Sequence, residues 1–345
     1  MNIITKDLGN KWLEYTLTND NGMSMNLLNY GGIITKLLVP NRVGKFENVV
    51  LGFQNYEDYE QNSNYFGGII GRVAGRIEGA SFQLEGKNYE LRANEGDHHL
   101  HGGSTAFHKV LWKGQPFQDE DTVGVKLMHT SPAGEGGYPG NVNITVTYTL
   151  SNNDELIIDY HATTDSKTAL TLTNHTYFNL TGNLVDTIAN HNVTMNCNLF
   201  LELDSDLIPT GQLVDVSGSP FDFRSGRKLL EGFHTSSYHS RIAGEGYDHY
   251  FLFEQNERPY ISVQDPSSGR LLEITTNQPG VVMYTANGLE EGLNLTGGRS
   301  KKHLGVCFET QASPASLKFQ ELPSIVLDVN DVYKKQTIFK FGCKQ

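Results

Sequence analysis

Apolar and polar residues alternate one by one in stretch after stretch of this chain, and that period leaves little room for anything but β-strands. In NITVTYTL (143–150), Ile144, Val146, Tyr148 and Leu150 fall on one face, while Asn143, Thr145, Thr147 and Thr149 fall on the other. The segments ELIIDYHATT, ISVQDP, LLEITTN, VVMYTAN, SIVLDV and TIFKFG read as strands in the same way. They are separated by turn chemistry such as NDNG, GYPGN, SNND, DPSSG and LTGGRS. Helical periodicity is confined to NYEDYEQN and GRKLLEGF. The fold class implied is all-β, a large antiparallel sandwich or barrel with few short helices. No proline-rich linker, low-complexity tract or clean internal repeat divides the 345 residues, so residues 1–345 are expected to form a single domain.

Charge and cysteine usage narrow the function classes. Asp and Glu outnumber Lys and Arg by 39 to 27, a formal charge of −12 that opposes a phosphate backbone and argues against nucleic acid. The start MNIITKDLGNKWLEY has neither a basic opening nor an apolar core, and no uncharged apolar run approaches the roughly 18 residues of a membrane span. A cytoplasmic protein without membrane contact is the expectation. Cys197, Cys307 and Cys343 are far apart and form no CxxC, which indicates neither a disulfide framework nor a thiolate metal site.

Five stretches hold ionisable groups among glycine, aromatic or β-branched residues: GRVAGRI (71–77), HHLHGG (98–103), TNHTYFNL (173–180), GYDHYF (246–251) and FETQASP (308–314). The first presents Arg72 or Arg76 on a glycine-rich bend, or is a tight corner with solvated arginines. In the second, His99 and His101 would share a strand face and could ligate together, but Gly102, Gly103, Ser104 and Thr105 supply no carboxylate, so no metal is expected. The Gly102–Gly103 turn instead suggests that His101 is held at a strand end. In the third, strand alternation turns His175 to the side of Thr171, Thr173 and Tyr177, a polar and aromatic face suited to a hydroxyl-rich ligand or to a satisfied structural histidine. Glu309 shares a face with Gln311, and partial desolvation there would raise its pKa and strengthen it as a base. An edge-strand glutamate in water is the other reading. Asp248 sits among Tyr247, Tyr250 and Phe251, which fits a sugar-stacking surface.

Taken together and in this order, GRVAGRI, LHGG, TNHTYFNL, GYDH and ETQ resemble the aldose 1-epimerase family, in register from about residue 25 to the C-terminus. The resemblance implies a galactose mutarotase-like β-supersandwich with an open sugar cleft. It also implies interconversion of the α and β anomers of galactose, glucose and related free aldoses, with no cofactor and no metal. Position by position it puts the base on Glu309, the acid on His175 and the second histidine on His101. Sugar contacts fall on Arg76, Asp248 and Tyr177, and on Gly75 where many relatives read Asn. Some relatives also carry Gln where Val282 stands. The partner implied is a small free aldohexose, the assembly a monomer or homodimer. Two other readings stay open: a glycoside hydrolase using Asp248 and Glu309 as its carboxylate pair, and a non-catalytic sugar-binding module. A relative acting on hexose 6-phosphates is disfavoured by the acidic charge.

Overall fold

The computed structural model describes residues 1–254 and 260–344. Its longer strands form three larger antiparallel sheets. The first five form an N-terminal sheet that runs Asn2–Gly9, Trp12–Thr18, Ser24–Leu28, Ile34–Pro40 and Phe46–Asn48. A nine-stranded sheet starts as a meander, Lys113–Gln118, Thr122–Ser131, Val142–Ser151 and Glu155–Thr164. It then takes in the last strand, Tyr333–Cys343, followed by Arg270–Thr276, Ile261–Gln264, Asn192–Met195 and Arg227–Lys228. The final strand therefore lies between two others, Glu155 opposite Lys340 on one side and Arg270 opposite Cys343 on the other. The alternation in NITVTYTL holds: Ile144, Val146, Tyr148 and Leu150 are buried in the main core with Leu127, Ile158 and Tyr160.

A six-stranded sheet carries the site, in the order Tyr177–Phe178, Val306–Gln311, Gly280–Tyr284, Asp248–Leu252, Leu199–Leu203 and Pro209–Asp215. One of its faces feeds the core through Phe178, Val306, Phe308, Val281, Met283 and Phe251. The other face is left for a cleft, because successive side chains point to opposite sides.

Three local expectations change. SIVLDV contributes only Val326–Leu327, a two-residue ladder on Thr168–Ala169. NYEDYEQN forms a 3-10 turn, Tyr56–Gln61, and GRKLLEGF splits into the strand Arg227–Lys228 and a 3-10 turn, Leu229–Gly232. TLTNHTYFNL is not one strand with one buried face. Thr173–Asn174 pairs with Ile69–Ile70, Tyr177–Phe178 pairs with Cys307 and Val306, and His175 and Thr176 bridge the two ladders, buried on both sides. Among the described residues no helix is long and apolar enough to cross a membrane, and the single α-helical segment is Tyr238–Ile242.

Candidate active site

Register builds the cleft floor. Tyr177, Cys307, Tyr284 and Asp248 stand opposite one another across four strands, and the next row is Glu309, Val282 and Tyr250. All of these except Cys307 line a cavity of about 520 Å³, a size suited to a small ligand. Val282 puts an apolar side chain directly beside Glu309.

The wall comes from the glycine-rich bend and the histidine cluster, joined by a short ladder that sets Arg76 opposite Leu100 and Ile77 opposite His99. His101 then turns left-handed at φ 53°, and Gly102 follows at φ 84°, where a Cβ would overlap the Gly71 carbonyl oxygen. This turn breaks the strand alternation, so His99 and His101 do not share a face. His99 is consumed by structure: Nδ1 donates to the Arg92 carbonyl at 2.7 Å, and Nε2 accepts from the Tyr138 hydroxyl at 2.9 Å. His101 faces the cleft and is clasped by Gly75 at φ 89°: its own amide donates to the Gly75 carbonyl at 3.1 Å, and the Gly75 amide donates to its Nδ1 at 3.1 Å. A neutral imidazole that accepts at Nδ1 carries its proton on Nε2, so His101 is a fixed hydrogen-bond donor.

His175 and Glu309 form the chemical centre. Nε2 of His175 lies 3.4 Å from Glu309 Oε1, and both side chains are buried. Burial pushes the imidazole down to about 4. Burial, reinforced by the Asp248 charge and opposed by Arg76, pushes the Glu309 carboxyl well above the usual carboxylate range. Glu309 Oε2 has no hydrogen-bond partner among the described residues, an acceptor left open in a buried place. Tyr65 packs against both cleft histidines, its ring centroid 5.5 Å from His175 and 4.7 Å from His101.

Arg76 takes a bidentate grip from Glu95 at 2.6 and 3.0 Å and lies 3.5 Å from Asp248 Oδ2. Burial would lower its guanidinium, but Asp248 and Glu95 outweigh burial and hold it above its ordinary value. Asp248 is raised by its own burial, with Arg76 opposing. Arg72, the other arginine of the bend, is buried and spent on Ser131, Pro132 and Pro139 at 2.7–2.8 Å.

The structure thus gathers Gly75, Arg76, His101, His175, Tyr177, Asp248 and Glu309 in one cleft and leaves Arg72 and His99 outside it. Glu95 and Tyr65 were missed. Nothing in NEGD or NSNYF marks them, since Glu95 matters only because a turn returns it to Arg76. Nitrogen and oxygen donors of His101, His175 and Glu309 lie within 4.8 Å of one another, a set that the spacing of HHLH does not suggest. Its fit to a cation is poor: a ligating histidine donates from its other nitrogen, whereas the other nitrogen of His101 accepts from Gly75.

A β-supersandwich with a polar, aromatic-lined cleft defines a galactose mutarotase-like carbohydrate protein, and the comparisons with known proteins narrow it further. The sequence matches the aldose 1-epimerase family over residues 14–340, and the chain belongs to that family. It is 41% identical to the galactose mutarotase of Mus musculus over 332 residues, 95% of this chain and 94% of that one. It is 32% identical to the aldose 1-epimerase of Streptococcus thermophilus over 325 residues, 91% and 90% of the two chains. Among solved structures, galactose 1-epimerase from Lactobacillus acidophilus NCFM superposes with a TM-score of 0.88 at 28% identity, covering 100% of this chain and 99% of that one.

Proposed function

We propose that this chain is an aldose 1-epimerase that interconverts the α and β anomers of galactose, glucose and related free aldoses, with Glu309 as base and His175 as acid. The observation that carries the reading is the buried Glu309–His175 contact at 3.4 Å, with one carboxylate oxygen unpartnered among the described residues, in a cleft of sugar size. Glu309 takes the proton of the anomeric hydroxyl, C1–O1 becomes a carbonyl and the C1–O5 bond breaks. His175 gives its Nε2 proton to O5. Rotation about C1–C2 presents the other carbonyl face, and closure returns both protons. The pair therefore alternates between carboxylate with imidazolium and carboxylic acid with imidazole, and no proton leaves the site. Raising the carboxyl and lowering the imidazole favours the second arrangement, carboxylic acid with imidazole, in the empty site, so the shared proton is held within the pair. His101, locked as an Nε2–H donor, orients the ring oxygen. Arg76, Asp248 and Tyr177 hold hydroxyls, and Gly75, its amide and carbonyl engaged by His101, lines the cleft beside them.

The test is optical rotation of freshly dissolved α-D-galactose with and without protein, with a parallel assay for sugar release from aryl galactosides. Accelerated mutarotation without release supports the reading; release without mutarotation would move it to a hydrolase. We also propose that residues 1–345 work as one catalytic unit, monomeric or homodimeric, in the cytoplasm. Three unbonded cysteines support the compartment. Light scattering and cell fractionation test assembly and location.

A further inference from the structure

We propose that Cys307 is a positioning residue for His175: its sulfur accepts from Nδ1–H and so leaves Nε2 as the nitrogen that exchanges protons. The proposal rests on the assignment of His175 as the acid.

The two cleft histidines differ in what faces Nδ1. For His101 it is the Gly75 amide, a donor, so Nδ1 stays unprotonated and the ring cannot become an imidazolium without setting N–H against N–H. For His175 it is Cys307 Sγ at 3.5 Å, within reach of a hydrogen bond to sulfur. A shuttle that releases and regains its proton at Nε2 must keep Nδ1 protonated throughout, which needs an acceptor there. Sulfur can fill that role, though weakly. The weakness suits an acid, because a carboxylate in the same place would stabilise the imidazolium and make it slower to give up its proton.

Cys307 is placed for this role while it also packs in the apolar cluster of Leu51, Phe66 and Tyr177. It sits in the floor row between Tyr177 and Tyr284 and is fully buried. Burial, with the Glu309 and Asp248 charges, pushes its thiol well above the ordinary value, so it remains S–H and is no nucleophile. It is two residues from Glu309 on the same strand face, so one strand supplies both the base and the group that holds the acid.

The experiment compares Cys307→Ala and Cys307→Ser with wild type, measuring kcat, KM for galactose, melting temperature and the ring nitrogen shifts of His175 by NMR, the signal assigned with His175→Asn. In wild type the neutral ring should carry its proton on Nδ1. Cys307→Ala should lower kcat on the order of tenfold, the worth of one neutral hydrogen bond, with KM within about twofold and the ring shifted toward the Nε2–H form. Cys307→Ser should restore the Nδ1–H form and most of the turnover. A wild-type ring protonated at Nε2, or an alanine variant whose tautomer does not move, would overturn the proposal whatever the rate. Should His175→Asn itself keep full turnover, the acid assignment fails instead, and the outcomes for the two claims stay separate.

Discussion

Arg72 and Arg76 come from one glycine-rich bend, four residues apart, yet they belong to different parts of the molecule. The guanidinium of Arg72 is enclosed by the Ser131 hydroxyl and three carbonyls, and burial draws it down to about 10. Arg76 is anchored by carboxylates at the rim of the cleft. His99 and His101 repeat the contrast two residues apart: one ring has both nitrogens occupied by protein, while the other keeps Nε2 free for a ligand. Residue type does not separate structure from function here. What separates them is whether hydrogen-bonding capacity is used up internally or left over at a cavity.

The sharpest test takes the clearest case of capacity left over. Glu309→Gln preserves shape but cannot take a proton, so turnover should fall at least about 10²–10⁴-fold while calorimetric galactose binding survives. Near wild-type mutarotation would end the base assignment. The arginine pair should then divide cleanly. Arg72→Ala strands buried acceptors and should cost on the order of 3 kcal/mol of stability, with KM unchanged in the protein that folds. Arg76→Ala should instead raise KM about tenfold or more with little change in melting temperature. If both variants behaved alike in either measurement, the division would be broken. Among the histidines, His101→Asn should cut kcat by about tenfold, the worth of one orienting hydrogen bond, whereas His99→Gln should lower melting temperature and leave kcat within about twofold.

The smallest effect is in pH. The empty site shares one proton between His175 and Glu309. A second arrives only below about 4, the lowered value of His175, and the last leaves only above the raised value of Glu309. Log kcat/KM should therefore stay level through 6.5 and bend down near 4. Asp248→Asn should move the alkaline bend to lower pH, because the Asp248 charge helps to raise Glu309. Stability follows a related sign. His108 and His249 sit at about 3 and His191 at about 4 because burial disfavours their charge, so the unfolded chain takes protons there first. Their contribution is full above about 6.5 and is lost as pH falls toward those values; a melting temperature that held steady from pH 7 to 4 would contradict it.

Much of this was legible in the sequence, for identifiable reasons. Strand alternation survives because a half-buried sheet enforces it, as in NITVTYTL. Glu309 and Gln311 share a face for the same reason. The HHLH reading failed at His101 because left-handed backbone resets the alternation, and only the nearby glycines hinted at that. TLTNHTYFNL looked like one strand because period two cannot show that its two ends pair with different sheets. Glu95 and Tyr65 carry no local signal at all, since their roles arise where distant loops meet. Short 3-10 turns in place of helices reflect segments too brief to complete a helical nucleus.

The last strand, Tyr333–Cys343, is zipped between Glu155–Thr164 and Arg270–Thr276, and this orders events at the ribosome. Its neighbours are made first and wait with open edges until residues 333–343 emerge from the tunnel. Phe339 and Phe341 of that strand stack near Phe178, at 5.3 and 6.3 Å, directly behind the residue that presents Tyr177 to the cleft. The piece that backs the candidate site is therefore made after every residue that lines it. A chain stopped before residue 333 should stay protease-sensitive and inactive even though every cleft residue has already been translated.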